Sequence, residues 1–262
     1  PLTKKLQPQK NSKLSKEAAI QKALDKFSEY QPVNDKDRDK FEYYKDVIPQ
    51  TIRNGFKACE EIGIATAKEI NAESSLNHTD KRLQLPICGR TDLTFKDFKS
   101  AEQSAGASGS ITSSVLSVLE FKTVWPRALK VRKDGSRGFS KAKLPSIPLI
   151  NHLRQLSFYY TVLLSGDCFP YLVYLSADGY QIFSKENCAD LEPENIKNYY
   201  NHLVNKCIRR ERLLTRYSHL KDKDEIIKEL IADTNPNFQH PFYWNIGHEF
   251  VKQAKELWSD VR

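Results

Sequence analysis

The sequence contains no methionine, 10 glycines, and five cysteines placed so that no two stand at Cys-x-x-Cys spacing. A chain of 262 residues would ordinarily carry several methionines. So little glycine excludes collagen-like and glycine-rich architectures. Cys59, Cys88, Cys168, Cys188 and Cys207 are odd in number and far apart. That opposes a disulfide framework and a compact zinc knuckle, and the expected setting is intracellular and reducing. The thiols are expected to be small buried hydrophobes. Their spacing lacks the closely spaced set that an iron–sulfur cluster needs, so no cluster is expected. No stretch approaches the roughly 18 apolar residues of a membrane-spanning helix. There is no G-x-x-x-x-G-K-[ST] run, so no ATP motor is expected. Residues 1–16 are lysine-rich and acid-free but lack an apolar core, so they are not read as a secretory signal. The protein is expected in the cytoplasm rather than outside the cell.

What the sequence does hold is charge and aromatic surface. There are 41 Lys+Arg against 33 Asp+Glu, a formal +8, with 39% hydrophobic and 11% aromatic residues. That supplies a core and opposes wholesale disorder. The length fits one large domain, or one domain with additions.

Residues 1–14 read as a flexible basic arm and 15–29 as a helix. Residues 32–40 form a charge run expected to be solvated, followed by a short aromatic helix to Val47. After Pro49, a helix is expected from Thr51 to Glu73 on the stripe Ile52, Phe56, Cys59, Gly63, Thr66 or Ala67, Ile70. The period then changes. Residues 83–95 and 115–125 read as strands, joined by a Ser/Gly/Ala-rich connection over 100–114. Residues 126–145 hold Arg127, Lys130, Arg132, Lys133, Arg137, Lys141 and Lys143 against one acid, Asp134, and read as a cationic loop. Leu149–Leu164 reads as a helix. Tyr171–Leu175 and Tyr180–Phe183 read as a hairpin around Ala177-Asp178-Gly179. Helices over 194–217, 222–233 and 246–258 follow, broken by Asn235-Pro236-Asn237 and Pro241. The expectation is an α/β fold: a small mixed central sheet flanked by helices, with helical additions at both ends. Its parts are the arm 1–14, a core 15–190, and a helical extension 191–262 packed on the core.

Four pieces carry chemistry. Gly89-Arg90-Thr91-Asp92 falls on the first expected strand and Leu119-Glu120-Phe121-Lys122-Thr123 on the next. Strand alternation puts Glu120 and Lys122 on one side. Two carboxylates beside one amine are hard oxygen ligands suited to Mg²⁺ or Mn²⁺. Asp97-Phe98-Lys99 also has acid-x-Lys spacing, but Glu120-Phe121-Lys122 lies inside an apolar run. Gln155 and Tyr159, at i and i+4, project together from the following helix, with His152 on the same face. The fourth piece is an acid on the preceding helix. On the Ile52–Phe56–Cys59–Gly63 phase, Glu60 flanks the buried face and Glu61 points away, with Glu69 and Glu73 as further candidates. Taken singly, each piece also fits a surface ion pair or a packing contact. The cationic segment 126–145 suits a polyanionic substrate that the carboxylates would otherwise repel. A second basic face, Lys206, Arg209, Arg210, Arg212 and Arg216, lies on the C-terminal helix.

The order of these pieces resembles the RecB-like branch of the PD-(D/E)XK nuclease superfamily, over roughly residues 55–185. That branch includes phage-type and mitochondrial single-strand exonucleases. It pairs an Asp strand and an (Asp/Glu)-x-Lys strand with a Gln-x-x-x-Tyr helix, here Asp92, Glu120, Lys122, Gln155 and Tyr159. The resemblance implies a restriction-endonuclease-like core and Mg²⁺- or Mn²⁺-dependent cleavage of DNA, single-stranded or with free ends. The metal would be held by Asp92, Glu120 and Glu60. Replication, recombination or repair, in a phage-infected cell or an organelle, is the implied setting. A structure-selective endonuclease and a non-catalytic nucleic-acid-binding module are the alternatives. Residues 127–143 (Arg127, Lys130, Arg132, Lys133, Arg137, Lys141, Lys143) and His152 would contact the DNA.

Overall fold

In the computed structural model the described residues are 15–32, 35–96, 116–133, 135, 137–163, 168–233, 236–238 and 248–260. The basic arm 1–14, the connection 97–115 with Asp97-Phe98-Lys99, the breaks at Asn235 and Pro241, and the side chains of Arg137 and Cys168 lie outside them. The chain divides into two units: residues 1–80 with 86–204, and residues 81–85 with 205–262.

The first unit is α/β. Helix α1 spans Lys16–Ser28, capped by Ser15, whose hydroxyl accepts the Ala18 N–H at 3.1 Å. Helix α2 spans Asp35–Ile62. Strands β1 (Glu69–Ala72), β2 (Ser75–His78), β3 (Ile87–Arg90), β4 (Leu93–Lys96), β5 (Leu116–Thr123), β6 (Ala128–Val131) and β7 (Arg137–Phe139) follow. Helix α3 is Ile150–Leu163; β8 is Cys168–Leu175, β9 Tyr180–Phe183, and α4 Pro193–Arg216. The central sheet runs β1-β4-β5-β8-β9 and is mixed: β5 and β8 are parallel and the other pairs antiparallel. Two-stranded sheets β2–β3 and β6–β7 stand apart from it. Among the described residues, no helix is long and apolar enough to cross a membrane.

The sheet is covered differently on its two faces. Leu119, Tyr171, Val173 and Leu175 alternate onto one face and pack with Ala58 and Ile62 of α2 and with Phe95. Leu172 and Tyr174 of β8, with Val118 and Glu120 of β5, alternate onto the other, the side where α3 reaches Glu120 through Gln155. Tyr174, Leu119, Leu172, Val118 and Val173 are all fully buried, as expected of central strands covered on both faces.

Several expectations change. The charge run from residue 35 and the aromatic helix belong to one helix, which passes through Pro49 without ending there. The interior proline removes one backbone bond, but burial of Ile48, Thr51, Asn54, Ala58 and Ile62 along the same face holds the helix. The helix stops at Ile62, not Glu73, because Gly63 takes a left-handed backbone (φ 89°). Residues 69–73, read as the end of that helix, hold strand β1, and β2 follows at Ser75–His78. The single strand expected at 83–95 is β3 and β4, in different sheets. The cationic loop 126–145 contains the β6–β7 hairpin. The thiols are less buried than expected: Cys88 is exposed and Cys59, Cys188 and Cys207 are half-buried.

Ile196, Tyr200 and Val204 are buried in the first unit, and the Tyr200 hydroxyl donates to Asp80 at 3.0 Å. The division therefore falls inside α4 at 204/205 rather than at 190/191. The second unit holds the end of α4, α5 (Lys223–Asp233) and α6 (His248–Asp260). There Glu211 accepts the backbone N–H groups of Gln84 and Leu85 at 2.9 and 2.7 Å.

Gly89 on β3 faces two aromatic rings of α3. A Cβ there would lie 2.8 Å from both Phe158 Cε1 and Tyr159 Cε1, rings that are each 3% exposed. Gly89→Ala is therefore expected to destabilise by about 1–3 kcal/mol through overpacking. Urea unfolding checks this, and an unchanged midpoint would show that the rings can yield.

Candidate functional site

The site forms where β4 leaves β5. Leu93 is the last β4 residue in register, opposite Leu119. Beyond it the backbone turns toward the residues after β1: Glu73 N–H donates to Asp92 O at 3.1 Å and Thr91 N–H to Ser74 O at 3.0 Å. Phe121 thereby loses a strand partner, and the Asp92 carboxylate takes its place, accepting the Phe121 N–H at 2.7 Å. Asp92 thus sits in the bend before β4, not on a strand shared with Gly89.

Glu120 is 2% exposed. Its Oε1 accepts the Lys122 amine at 2.6 Å and the Gln155 amide at 2.6 Å. Gln155 Oε1 accepts a further bond from Lys122 at 2.8 Å. The second proton of the Gln155 amide goes to the Tyr159 hydroxyl at 2.8 Å, which donates onward to Arg90 O at 2.8 Å. Every polar atom of Gln155 is used, so its rotamer is fixed. Among the described residues, Glu120 Oε2 is buried with no close hydrogen-bond partner, the Asp92 backbone N–H acting only weakly on the carboxyl.

Burial pushes the Glu120 carboxyl up to about 7, against the stabilising contact with Lys122, and the neighbouring Asp92 charge raises it further. Burial likewise raises Asp92, opposed by the Phe121 N–H and Lys122, with Glu73 adding repulsion. Two carboxylates are thus held together on one face at a cost that a cation would relieve. The orphaned Oε2 and the all-oxygen donor set fit a hard divalent cation held by Asp92 and Glu120. Among the described residues, no three His, Cys, Asp or Glu side chains gather closely enough to hold a metal.

Five of the expected residues therefore meet: Asp92, Glu120, Lys122, Gln155 and Tyr159. Glu60 does not. It pairs with Lys16 at 2.6 Å and is more than half exposed. The buried stripe of α2 is Thr51, Asn54, Ala58 and Ile62, displaced from the expected Ile52–Phe56–Cys59 stripe. At about 100° per residue, Glu60 lies roughly 180° from that stripe and Glu61 roughly 80°. Glu61, read as solvated, flanks the sheet instead and accepts the Tyr180 hydroxyl at 2.7 Å. More basically, α2 covers the face of the sheet opposite Glu120. Glu73, whose charge also acts on Asp92, has a left-handed backbone (φ 51°) and lies 3.6 Å from Arg90.

His152 is not a phosphate-binding cation. Its Nδ1 meets the Tyr174 hydroxyl at 2.8 Å, and that hydroxyl accepts the Leu149 N–H at 2.9 Å. Burial, then the Lys122 charge, lowers the imidazole to about 4, so it is neutral at pH 7. Tyr174 was missed by sequence reasoning. Its signal is register: Lys122 pairs with Tyr174 across the parallel strands. Arg127, Lys130, Arg132, Lys133, Lys141 and Lys143 are exposed along the segment between β5 and α3. A cavity of about 440 Å³ lies on the α1–α2 side, lined by Phe27, Tyr30, Ile48, Ile52 and Trp125, and contains none of the site carboxylates.

No family model and no curated protein matches the chain. Among solved structures, the crystal structure of SSO0001 is 14% identical over 72% of this chain and 84% of that one. Its TM-score is 0.28, too low to carry an argument.

Because the folded-state Glu120 value lies above its ordinary 4.5, the folded state binds more protons than the unfolded one between about 4.5 and about 7. Stability of the metal-free protein is present below that window and is lost as pH rises through it, by on the order of 3 kcal/mol from Glu120. Asp92 acts in the same direction. Urea unfolding in EDTA at about pH 5 and about pH 8 should show this loss, and Glu120→Gln should remove most of it. Equal pH slopes in the two proteins would assign the effect to other groups.

Proposed function

We propose that this chain is a divalent-metal-dependent deoxyribonuclease of the RecB-like PD-(D/E)XK type, cleaving DNA that is single-stranded or has free ends, most simply as an exonuclease. The observation that carries this reading is the convergence of Asp92, Glu120, Lys122, Gln155 and Tyr159 around a buried carboxylate oxygen without a close partner among the described residues. The order of an Asp beside one strand, Glu-x-Lys on the next and Gln-x-x-x-Tyr on the following helix is that of the resemblance. The mixed sheet flanked by helices is compatible with such a core.

The residues divide the work by chemistry. Asp92 and Glu120 would hold Mg²⁺ or Mn²⁺, which when bound stabilises charge on a phosphodiester and acidifies its water. Lys122 is held by both Glu120 and Gln155, so its amine is fixed beside the carboxylates, where it would stabilise developing negative charge. Gln155 keeps the carboxylate and the amine in one orientation, and Tyr159 ties Gln155 to the chain before Asp92. The exposed cations between β5 and α3 supply the attraction for a polyanion.

The test is digestion of labelled linear and circular DNA, in single- and double-stranded forms, with Mg²⁺, Mn²⁺ or EDTA. Metal-dependent loss of linear DNA with circles resistant supports the exonuclease. Cleaved circles point to an endonuclease, and binding without any product to a non-catalytic module. Asp92→Ala and Glu120→Ala are each expected to lower cleavage by at least about a hundredfold while DNA binding persists or tightens, because a lost carboxylate removes a ligand and a repulsion together. Wild-type turnover by either variant would reject the site. Replacing Lys130, Arg132 and Lys133 with Gln should flatten the plot of log binding constant against log salt by roughly 2 on single strands, at about 0.7 per phosphate contact. An unchanged slope would mean that these cations do not touch the strand.

A further inference from the structure

Tyr174 and His152 form a pair whose protons are fixed by what surrounds them. Tyr174 lies opposite Lys122 in the β5–β8 register and is 1% exposed. Its oxygen accepts the Leu149 N–H at 2.9 Å, so the hydroxyl proton needs an acceptor of its own. Among the described residues that acceptor is His152 Nδ1, 2.8 Å away. The reverse arrangement, with Nδ1 donating, would leave a buried phenol proton unpaired, which is costly. The imidazole is therefore held in one tautomer, with its proton on Nε2.

That proton stands beside the site. His152 lies one turn before Gln155 on the same face of α3, and Gln155 accepts from Lys122 at 2.8 Å. The ring is half-buried, and among the described residues its one hydrogen bond is the bond to Tyr174. The first turn of α3 contains no acid to take the Nε2 proton. Burial, then the Lys122 charge, keeps the ring neutral at pH 7. A second cation there would repel Lys122, whereas a neutral donor does not.

We propose that His152 donates its Nε2–H to a non-bridging phosphate oxygen of the bound strand, and that Tyr174 is the positioning residue that keeps the proton on that nitrogen. The proposal rests on the nuclease reading for its ligand. A phosphodiester held at Asp92, Glu120 and Lys122 brings anionic oxygens to this face of α3, and N–H bonds to anionic oxygens are the stronger class. The contact differs in kind from those of lysine and arginine. It neutralises no phosphate charge, so it releases no counterion and adds affinity without salt dependence.

The full-length ¹⁵N-labelled protein is compared with its His152→Ala, His152→Gln and Tyr174→Phe variants, free and with a single-stranded oligothymidylate in EDTA. The imidazole spectrum of wild type, assigned from the His152→Ala spectrum, should show the Nε2–H tautomer at His152. Tyr174→Phe should show both tautomers. Adding the oligonucleotide should shift the Nε2–H resonance of wild type. Salt titrations should give about tenfold weaker binding for His152→Ala at an unchanged slope. His152→Gln, which keeps an N–H donor near the same place, should recover most of that loss. Unfolding midpoints verify that the variants fold, and the wild-type tautomer is read without any variant. An Nδ1–H tautomer in wild type overturns the proposal, as does unaltered binding by His152→Ala or an equal loss in His152→Gln. A slope flatter by about 0.7 in His152→Ala, the mark of a lost cation, overturns it too. A Tyr174→Phe spectrum unchanged from wild type removes Tyr174 from its role. If wild type binds with the expected signatures yet cleaves no DNA in Mg²⁺ or Mn²⁺, the nuclease reading fails and the phosphate contact stands.

Discussion

Keeping the carboxylate of Glu120 out of water is the constraint on which the rest of this molecule depends. A 2%-exposed acid is costly unless its environment compensates for the lost hydration. Here the close contacts, from Lys122 and Gln155, fall on one oxygen, the Asp92 backbone N–H adds a weaker stabilisation, and among the described residues the other oxygen has no close partner. Hydrophobic residues in place of such a pair would serve stability as well or better. A group kept in that state on the central strand, beside a second raised carboxyl, is a candidate functional group.

The fold meets this constraint through one parallel pairing. Strands β5 and β8 run in register for eight residues, placing Glu120 opposite Leu172 and Lys122 opposite Tyr174. A parallel pair needs a crossover, and the crossover here contains both the β6–β7 hairpin and α3. The connection that the topology requires thus supplies Gln155 and Tyr159 to the site and carries the exposed cations past it. Across the sheet, β4 leaves β5 early, and Asp92 fills the gap in the ladder. One carboxylate is therefore positioned by a strand's continuation and the other by a strand's interruption.

The links radiate outward from Gln155. It locks Lys122 and Glu120 on one side and Tyr159 on the other, and Tyr159 reaches the backbone of Arg90 on β3. Gly89 lets that strand approach Tyr159 and Phe158 closely. His152 and Tyr174 form a separate neutral pair beside Lys122, so the imidazole adds no positive charge beside the amine.

Whatever depends on local spacing was legible in the order of the residues. Glu120 and Lys122 share a face because strand side chains alternate, and Gln155 and Tyr159 because helix residues four apart do. The helices α1, α3, α4 and α5 and the β8–β9 hairpin were legible from period and turn residues. Tertiary structure decided everything that needed a partner. Whether 69–73 continued a helix or turned into a strand depended on β4 being available to pair with β1. The phase of α2 was displaced because the contact face is set by the sheet it covers, including Leu175 close to Gly55. That contact put Glu60 on Lys16 and Glu61 on Tyr180, the reverse of the local reading. Asp92 was found from its spacing, but its role in capping Phe121 exists only because β4 and β5 part there. Local periodicity tells which side chains point together; only the packed sheet decides which face they point from and what meets them there.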